Sequence, residues 1–193
     1  MYKRLLTAVF FASTLTLAAD AQDGPKDALV LIIRHAEDAD SGNRISPRGE
    51  QRAEAYKDYF RNFTVDSTRR EPSVVFAAKD SQKSHRPRLT VEPFAKAANL
   101  KINTRFGNNQ SAELAADLRA NQHGKCILIC WRHPYIPDLL RALGANPESF
   151  LPRGKWPGSV YDWVILLSFD QNGRLIPSSS KLITEHLMPG NSE

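Results

Sequence analysis

ALVLII (Ala28 to Ile33) runs directly into Arg34-His35, and CILICW (Cys126 to Trp131) runs directly into Arg132-His133. Each run is short, continuous and apolar, the pattern of a strand covered on both faces rather than one with a wet side. In an open α/β sheet, ligands bind in the crevice beyond the carboxyl ends of the strands. Two buried strands that each deliver an arginine and a histidine to that edge predict a pocket with two imidazoles facing one another. A single Arg-His pair carries little weight, because basic residues commonly follow strands. The repeated context carries more.

Working outward, Ser46-Pro47 gives a capping residue followed by proline at the first helical position, which predicts a helix to about Phe60. SVVFA (Ser73 to Ala77) reads as a second buried strand. A helix is expected from Arg86 to about Ala98, kinked at Pro93. Lys101 to Thr104 suits a short strand, and Ser111 to Ala120 a helix capped by Ser111. Pro134 to Leu143 reads as a helix ended by Gly144, and Trp163 to Phe169 as the last clear strand before a turn at Asp170 to Gly173 and Leu175-Ile176. This alternation predicts one α/β domain: a three-layer sandwich with a largely parallel central sheet and helices on both faces. PRGKWPG (Pro152 to Gly158) is the one long irregular stretch and reads as a loop over the site.

The first residues read as a leader. Lys3 and Arg4 precede an apolar run from Leu5 to Ala19, and Ala19-Asp20-Ala21 has the small-x-small pattern of a cleavage site. The run is short for a spanning helix, which needs about 20 apolar residues. Cleavage after Ala21 would leave one domain, residues 22–193, in the periplasm or outside the cell, with no stable membrane insertion. The whole chain carries a net charge of +5, spread without a dense basic run, so nucleic acid is not the expected partner and a small anionic substrate is. Cys126 and Cys130 are four apart in a strand, about 13 Å, too far for a disulfide and on one face of the strand.

A third arginine sharpens the chemistry. Arg86 lies one turn before Thr90 at the opening of a helix, where a planar cationic fork meets a helix N-terminus that itself favours anions. Phosphate is the ligand that best uses two arginines and two imidazoles together. With these residues in view the chain resembles the histidine phosphatase superfamily, the phosphoglycerate-mutase-like fold. The matching motifs are Arg34-His35-Ala36 after the first strand, Ser46 to Ala53 in the pattern Ser-Pro-x-Gly-x-x-x-Ala, Arg86-x-x-x-Thr90, and His133 with the helix beyond it. The chain departs from that pattern at Ala36 and Pro134, where glycine is common, and in the Trp131-Arg132 lead-in to His133, which is bulkier than the family's usual small residues.

The resemblance implies that His35 attacks phosphorus and becomes a phosphohistidine. Arg34, Arg86 and His133 would bind the phosphoryl oxygens, with no metal or other cofactor. It also implies a glutamate proton donor between the second arginine and the second histidine, which points to Glu113; Glu37 and Asp80 are the other candidates. A metal site of His35, Glu37 and His133 is a weaker enzyme reading, since the adjacent arginines repel a cation. A rival of another class is a relative that binds phosphate or a polyanion without turnover. A mutase fits less well, because export separates the chain from cytoplasmic metabolites. Oligomeric state and the physiological substrate are not written in any motif.

Overall fold

The computed structural model describes residues 23–189, so the expected leader lies outside the described residues. The chain runs β1 (Ala28–Arg34), α1 (Pro47–Arg61), β2 (Thr64–Val65), β3 (Thr68–Arg69), β4 (Val74–Ala77) and α2 (Arg86–Ala97). It continues with β5 (Ile102–Asn103), α3 (Ser111–Ala120), β6 (Cys126–Trp131), α4 (Ile136–Ala142), β7 (Trp163–Phe169) and β8 (Lys181–Thr184). One sheet of six strands has the order β5-β4-β6-β1-β7-β8. β5, β4, β6 and β1 are mutually parallel, whereas β7 runs antiparallel to both β1 and β8. The largely parallel α/β sandwich is the architecture the alternating pattern predicts.

The apolar runs are continuous because both faces are covered. Val30 and Ile32, Ile127 and Ile129, and Ile165 and Leu167 pack on one side with Leu114 and Leu118 of α3 and Leu139 and Leu140 of α4. Leu31 and Ile33, Leu128 and Cys130, and Val164 and Leu166 pack on the other with Tyr56 and Phe60 of α1 and Val91 and Phe94 of α2. Strand alternation thus feeds two separate cores from one run. Each fully buried Leu, Ile or Phe contributes about 1.5–3 kcal/mol. Cys126 and Cys130 are buried, free thiols on the second of these faces.

Several local expectations need correction. Ser111 does not cap α3: Gln110 occupies that position, and the Ser111 hydroxyl is buried inside the first turn without a hydrogen bond. The helix expected from Pro134 starts as a 3₁₀ turn, His133–Tyr135, and becomes α-helical only at Ile136. Leu175 makes only an isolated pairing with Phe169; the strand that follows β7 is β8, farther along the chain. The β2–β3 hairpin was not signalled, because its turn residues are Asp66 and Ser67, both at positive φ (48° and 62°), rather than the usual Asn-Gly.

Candidate active site

β1 is central, so the residues at its end are enclosed. Arg34 pairs in register with Trp131, and the His35 N–H donates to the Trp131 carbonyl at 3.1 Å. Arg34 is 1% and His35 2% exposed. The start of α1 is locked beneath them: the Ser46 N–H donates to Glu37 O at 2.8 Å, and Ser46 Oγ accepts from Gly49 N at 3.1 Å. A Cβ on Gly49 would lie 2.7 Å from Glu37 O, which explains a glycine in Ser-Pro-x-Gly. The Ala36 N–H donates to Thr90 Oγ1 at 2.8 Å, and that hydroxyl donates to Arg86 O at 2.8 Å, so the Arg-x-x-x-Thr pattern ties α2 to the histidine loop.

These departures fit this geometry. Ala36 is buried and is not among the residues at positive φ, so glycine is not required there. Pro134 stands in the first turn of the 3₁₀ segment, where its fixed φ and missing N–H are tolerated. Trp131 points into the core and donates from Nε1 to Asn108 O at 3.1 Å, so its bulk lies away from the edge.

The His35 and His133 rings face each other with centroids 6.0 Å apart. His35 Nδ1 lies 2.8 Å from the Ala36 carbonyl. A carbonyl only accepts, so Nδ1 carries the proton and Nε2 keeps its lone pair. Burial, reinforced by the charge of Arg34, pushes His35 down to about 4, and the same two causes push His133 down to about 4. Both imidazoles are therefore neutral at neutral pH.

Arg34 is held by one nitrogen. Nη1 donates to the carbonyls of Gly158 (2.8 Å) and Val160 (3.1 Å), and the guanidinium stacks 3.7 Å from the Tyr161 ring centroid. Its Nε and Nη2 are buried without a partner among the described residues, as is His133 Nδ1. The Nε/Nη2 edge is the fork that receives an oxyanion side-on. The Pro152 to Gly158 stretch does lie over the site, as expected, because Arg34 draws its end down.

Arg86 is placed differently. Its guanidinium lies 2.8 Å from Asp38 and donates to the carbonyls of Gly42 (2.7 Å), Arg44 (3.0 Å) and Lys83 (3.3 Å), while Asp38 lies 3.5 Å from His35 Nδ1. Asp38 thus stands between Arg86 and His35, and Arg86 braces the loop from Asp38 to Arg44. Glu37 is turned away from the histidines to Arg52, at 2.8 Å, and Arg48, at 3.3 Å. Arg52 is fully buried and also bonds Glu185. Burial pushes Glu185 up to about 7 against the pull of Arg52. No group of three His, Cys, Asp or Glu side chains suited to a metal ion occurs among the described residues. Asp80 is paired with Arg88 at 2.8 Å. Glu113 is exposed in the first turn of α3 with no ion pair or hydrogen bond among the described residues.

Sequence reasoning missed two contributors. Asp38 sits in a loop whose residues carry no motif, and Tyr161 reaches Arg34 only through the return of the distant 152–160 segment. His85, by contrast, caps no active group, with Asn43 Nδ2 3.4 Å from its Nε2, and His123 pairs with Asp117 at 2.9 Å, away from the edge.

No family model and no curated protein matches the sequence. Solved structures do match. The protein histidine phosphatase SixA, complexed with tungstate, aligns at a TM-score of 0.53 and 16% identity over 81% of this chain and 97% of that one. The chain has the histidine phosphatase fold. Phosphoglycerate mutase from Plasmodium falciparum aligns at 0.54 and 15% identity, covering 86% and 96% of the two chains. A mutant phosphoserine phosphatase from Entamoeba histolytica, in complex with phosphoserine, aligns at 0.50 and 13% identity, covering 83% and 98%. A histidine phosphatase fold thus spans nearly the whole described chain, and the sheet edge carrying His35 and His133 is the one at which open α/β folds bind ligands.

Proposed function

We propose that the protein is an exported phosphomonoesterase that works through a phosphohistidine on His35 without a metal. One observation carries the reading: a neutral His35 with its Nε2 lone pair unengaged shares a buried edge with Arg34 and His133. Three nitrogens of that arginine and histidine, Arg34 Nε and Nη2 and His133 Nδ1, are buried without partners. The two arginine nitrogens are obligate donors, and a buried donor without a partner costs about 1–3 kcal/mol, so the arrangement is stabilised by an oxyanion that accepts from them. The neighbours' bound tungstate and phosphoserine support that ligand class.

In the first step His35 Nε2 attacks phosphorus as the ester oxygen leaves with its electron pair. Arg34 and His133 stabilise the charge on the non-bridging oxygens. Water then attacks the phosphohistidine, releasing phosphate and restoring the imidazole. The positive side chains occupy the place that magnesium holds in other phosphoryl transfers. Glu113 keeps the role of proton donor to the leaving oxygen in this reading; Glu37 is engaged by two arginines, and Asp80 is bonded to Arg88 through one of its oxygens. Arg86, which braces the loop from Asp38 to Arg44, is assigned to the phosphoryl oxygens beside Arg34 and His133 in this reading.

Rapid quench with labelled substrate should trap an acid-labile, base-stable phosphoprotein, and chelators should leave turnover intact. His35→Ala should abolish label and turnover together; a wild-type rate in that variant sinks the assignment. Phosphate binding without release from any ester would make the protein a binding relative. For export, the amino terminus of the secreted or periplasmic protein should be Gln22, and an intact Met1 on cytoplasmic protein would exclude it.

A further inference from the structure

Beside His133 a cleft of about 450 Å³ opens, lined by Asp138, Arg141, Arg153, Lys155 and Trp156. Its charges do not cancel. Asp138 is already paired with Arg141 at 2.8 Å, whereas Arg153 and Lys155 are exposed and have no acidic partner among the described residues. Arg153 sits at φ 53°, a left-handed conformation that costs a non-glycine residue about 1–3 kcal/mol and tends to persist where function requires it. The segment that carries both cations is fixed rather than loose. Arg34 Nη1 holds its end through Gly158 and Val160, and Trp156 Nε1 donates to Val160 O at 2.8 Å. The residue that would bind the phosphoryl group therefore also anchors two uncompensated cations beside it.

We propose that this cleft is a subsite for a second anionic group on the substrate, a phosphate or carboxylate carried by the leaving alcohol, with Arg153 and Lys155 as its determinants. The inference rests on the phosphomonoesterase reading and narrows its substrates to doubly anionic esters. Trp156 forms a rigid apolar wall for the carbon chain between the two anions, since it is 4% exposed and held through its indole N–H.

Three esters with one four-carbon skeleton test it: butyl phosphate, 4-phosphooxybutanoate and butane-1,4-diol bisphosphate. At low salt, kcat/KM for the two esters with a second anionic group should exceed that for butyl phosphate by about 10-fold, the sum expected from two largely exposed charge contacts. The advantage should shrink with added salt. In Arg153→Asn/Lys155→Gln the ratio should fall to within about 2-fold. Asparagine tolerates the left-handed backbone, so the turn is kept. The carboxylate and bisphosphate arms show which anion the cleft takes. Equal kcat/KM for all three esters in the wild type, or a ratio that survives the double substitution, overturns the subsite. Failure to hydrolyse any ester would instead overturn the hydrolase. Calorimetric titration with butane-1,4-diol bisphosphate and butyl phosphate still decides the subsite in that event: tighter bisphosphate binding that the double substitution removes supports it, and equal affinities refute it.

Discussion

Arg34→Lys separates charge from geometry at the candidate site. The guanidinium has two tasks that a point charge cannot share. Its Nη1 bonds the carbonyls of Gly158 and Val160, at 2.8 and 3.1 Å, while Nε and Nη2 remain for an oxyanion. A lysine ammonium carries its three protons on one atom. If it stays with the two carbonyls the oxyanion loses its fork, and if it turns to the oxyanion the 157–160 segment loses its anchor. Loss of one preorganised charge-stabilising group costs about 2.7–4 kcal/mol in the transition state, so kcat/KM should fall on the order of 10²- to 10³-fold. Stability should change far less, because the positive charge and one set of bonds persist. Loss of stacking on Tyr161, 3.7 Å away, is worth about 1–2 kcal/mol, or roughly 2–8 °C in Tm for a domain of this size. Steady-state kinetics on nitrophenyl phosphate, with thermal unfolding of the same samples, measures both. A kcat/KM within 5-fold of wild type would refute the division of labour assigned to this side chain.

Further expectations concern the groups around it. His35 and His133 should each titrate near pH 4 in the free protein, well below the ordinary value of 6.5, as followed by the imidazole C2 proton resonances. Because the unfolded chain takes up these protons first, this pair loses the protein stability as pH falls from about 6.5 towards 4; midpoints at or above 6 would contradict the burial and the Arg34 field. Arg86→Ala should lower kcat/KM on the order of 10²-fold and weaken inhibition by vanadate, whereas unchanged inhibition would confine Arg86 to bracing the loop. Glu113→Gln should slow an alkyl phosphate far more than nitrophenyl phosphate, whose leaving group needs little protonation. No loss on either ester returns Glu113 to a helix-terminus charge.

How much of this was legible follows from range. The strands were readable because β1, β4, β6 and β7 are largely buried on both faces and therefore run almost wholly apolar, with Ser168 in β7 and Arg34 at the end of β1 the polar exceptions. The histidine pair was readable because parallel strands deliver their ends to one edge. Short and edge elements were not: β8 (KLIT) is exposed at Lys181 and only half-buried from Leu182 to Thr184, and the β2–β3 hairpin uses Asp66-Ser67. The cap of α1 was read correctly at Ser46, but that of α3 was not, since Ser111 obeys the composition of a cap while its hydroxyl is turned inward. The role of Arg86 was only partly legible, because Arg-x-x-x-Thr marks the helix start but not Asp38, which the fold brings between Arg86 and His35.

The identical dipeptides also end in unlike environments, and strand register explains why. Arg34 is level with Trp131, so the second Arg-His pair lies one residue farther along the edge than the first. Arg34 is still within β1 and buried between its neighbours, while Arg132 is already past the end of β6 and half-buried. The chain after Arg132 turns at once into the 3₁₀ segment His133–Tyr135, which brings the His133 ring back to 6.0 Å from His35. One pair therefore places an enclosed imidazole beside a buried guanidinium, the proposed nucleophile and anion fork, and the other a facing imidazole at the mouth of the basic cleft. A shift of a single residue in the β1–β6 register would place each of these side chains on the opposite face of the sheet. The apolar run of β6, continuous on both faces, does not by itself fix that register; Trp131 does, through its buried indole and its bond to Asn108.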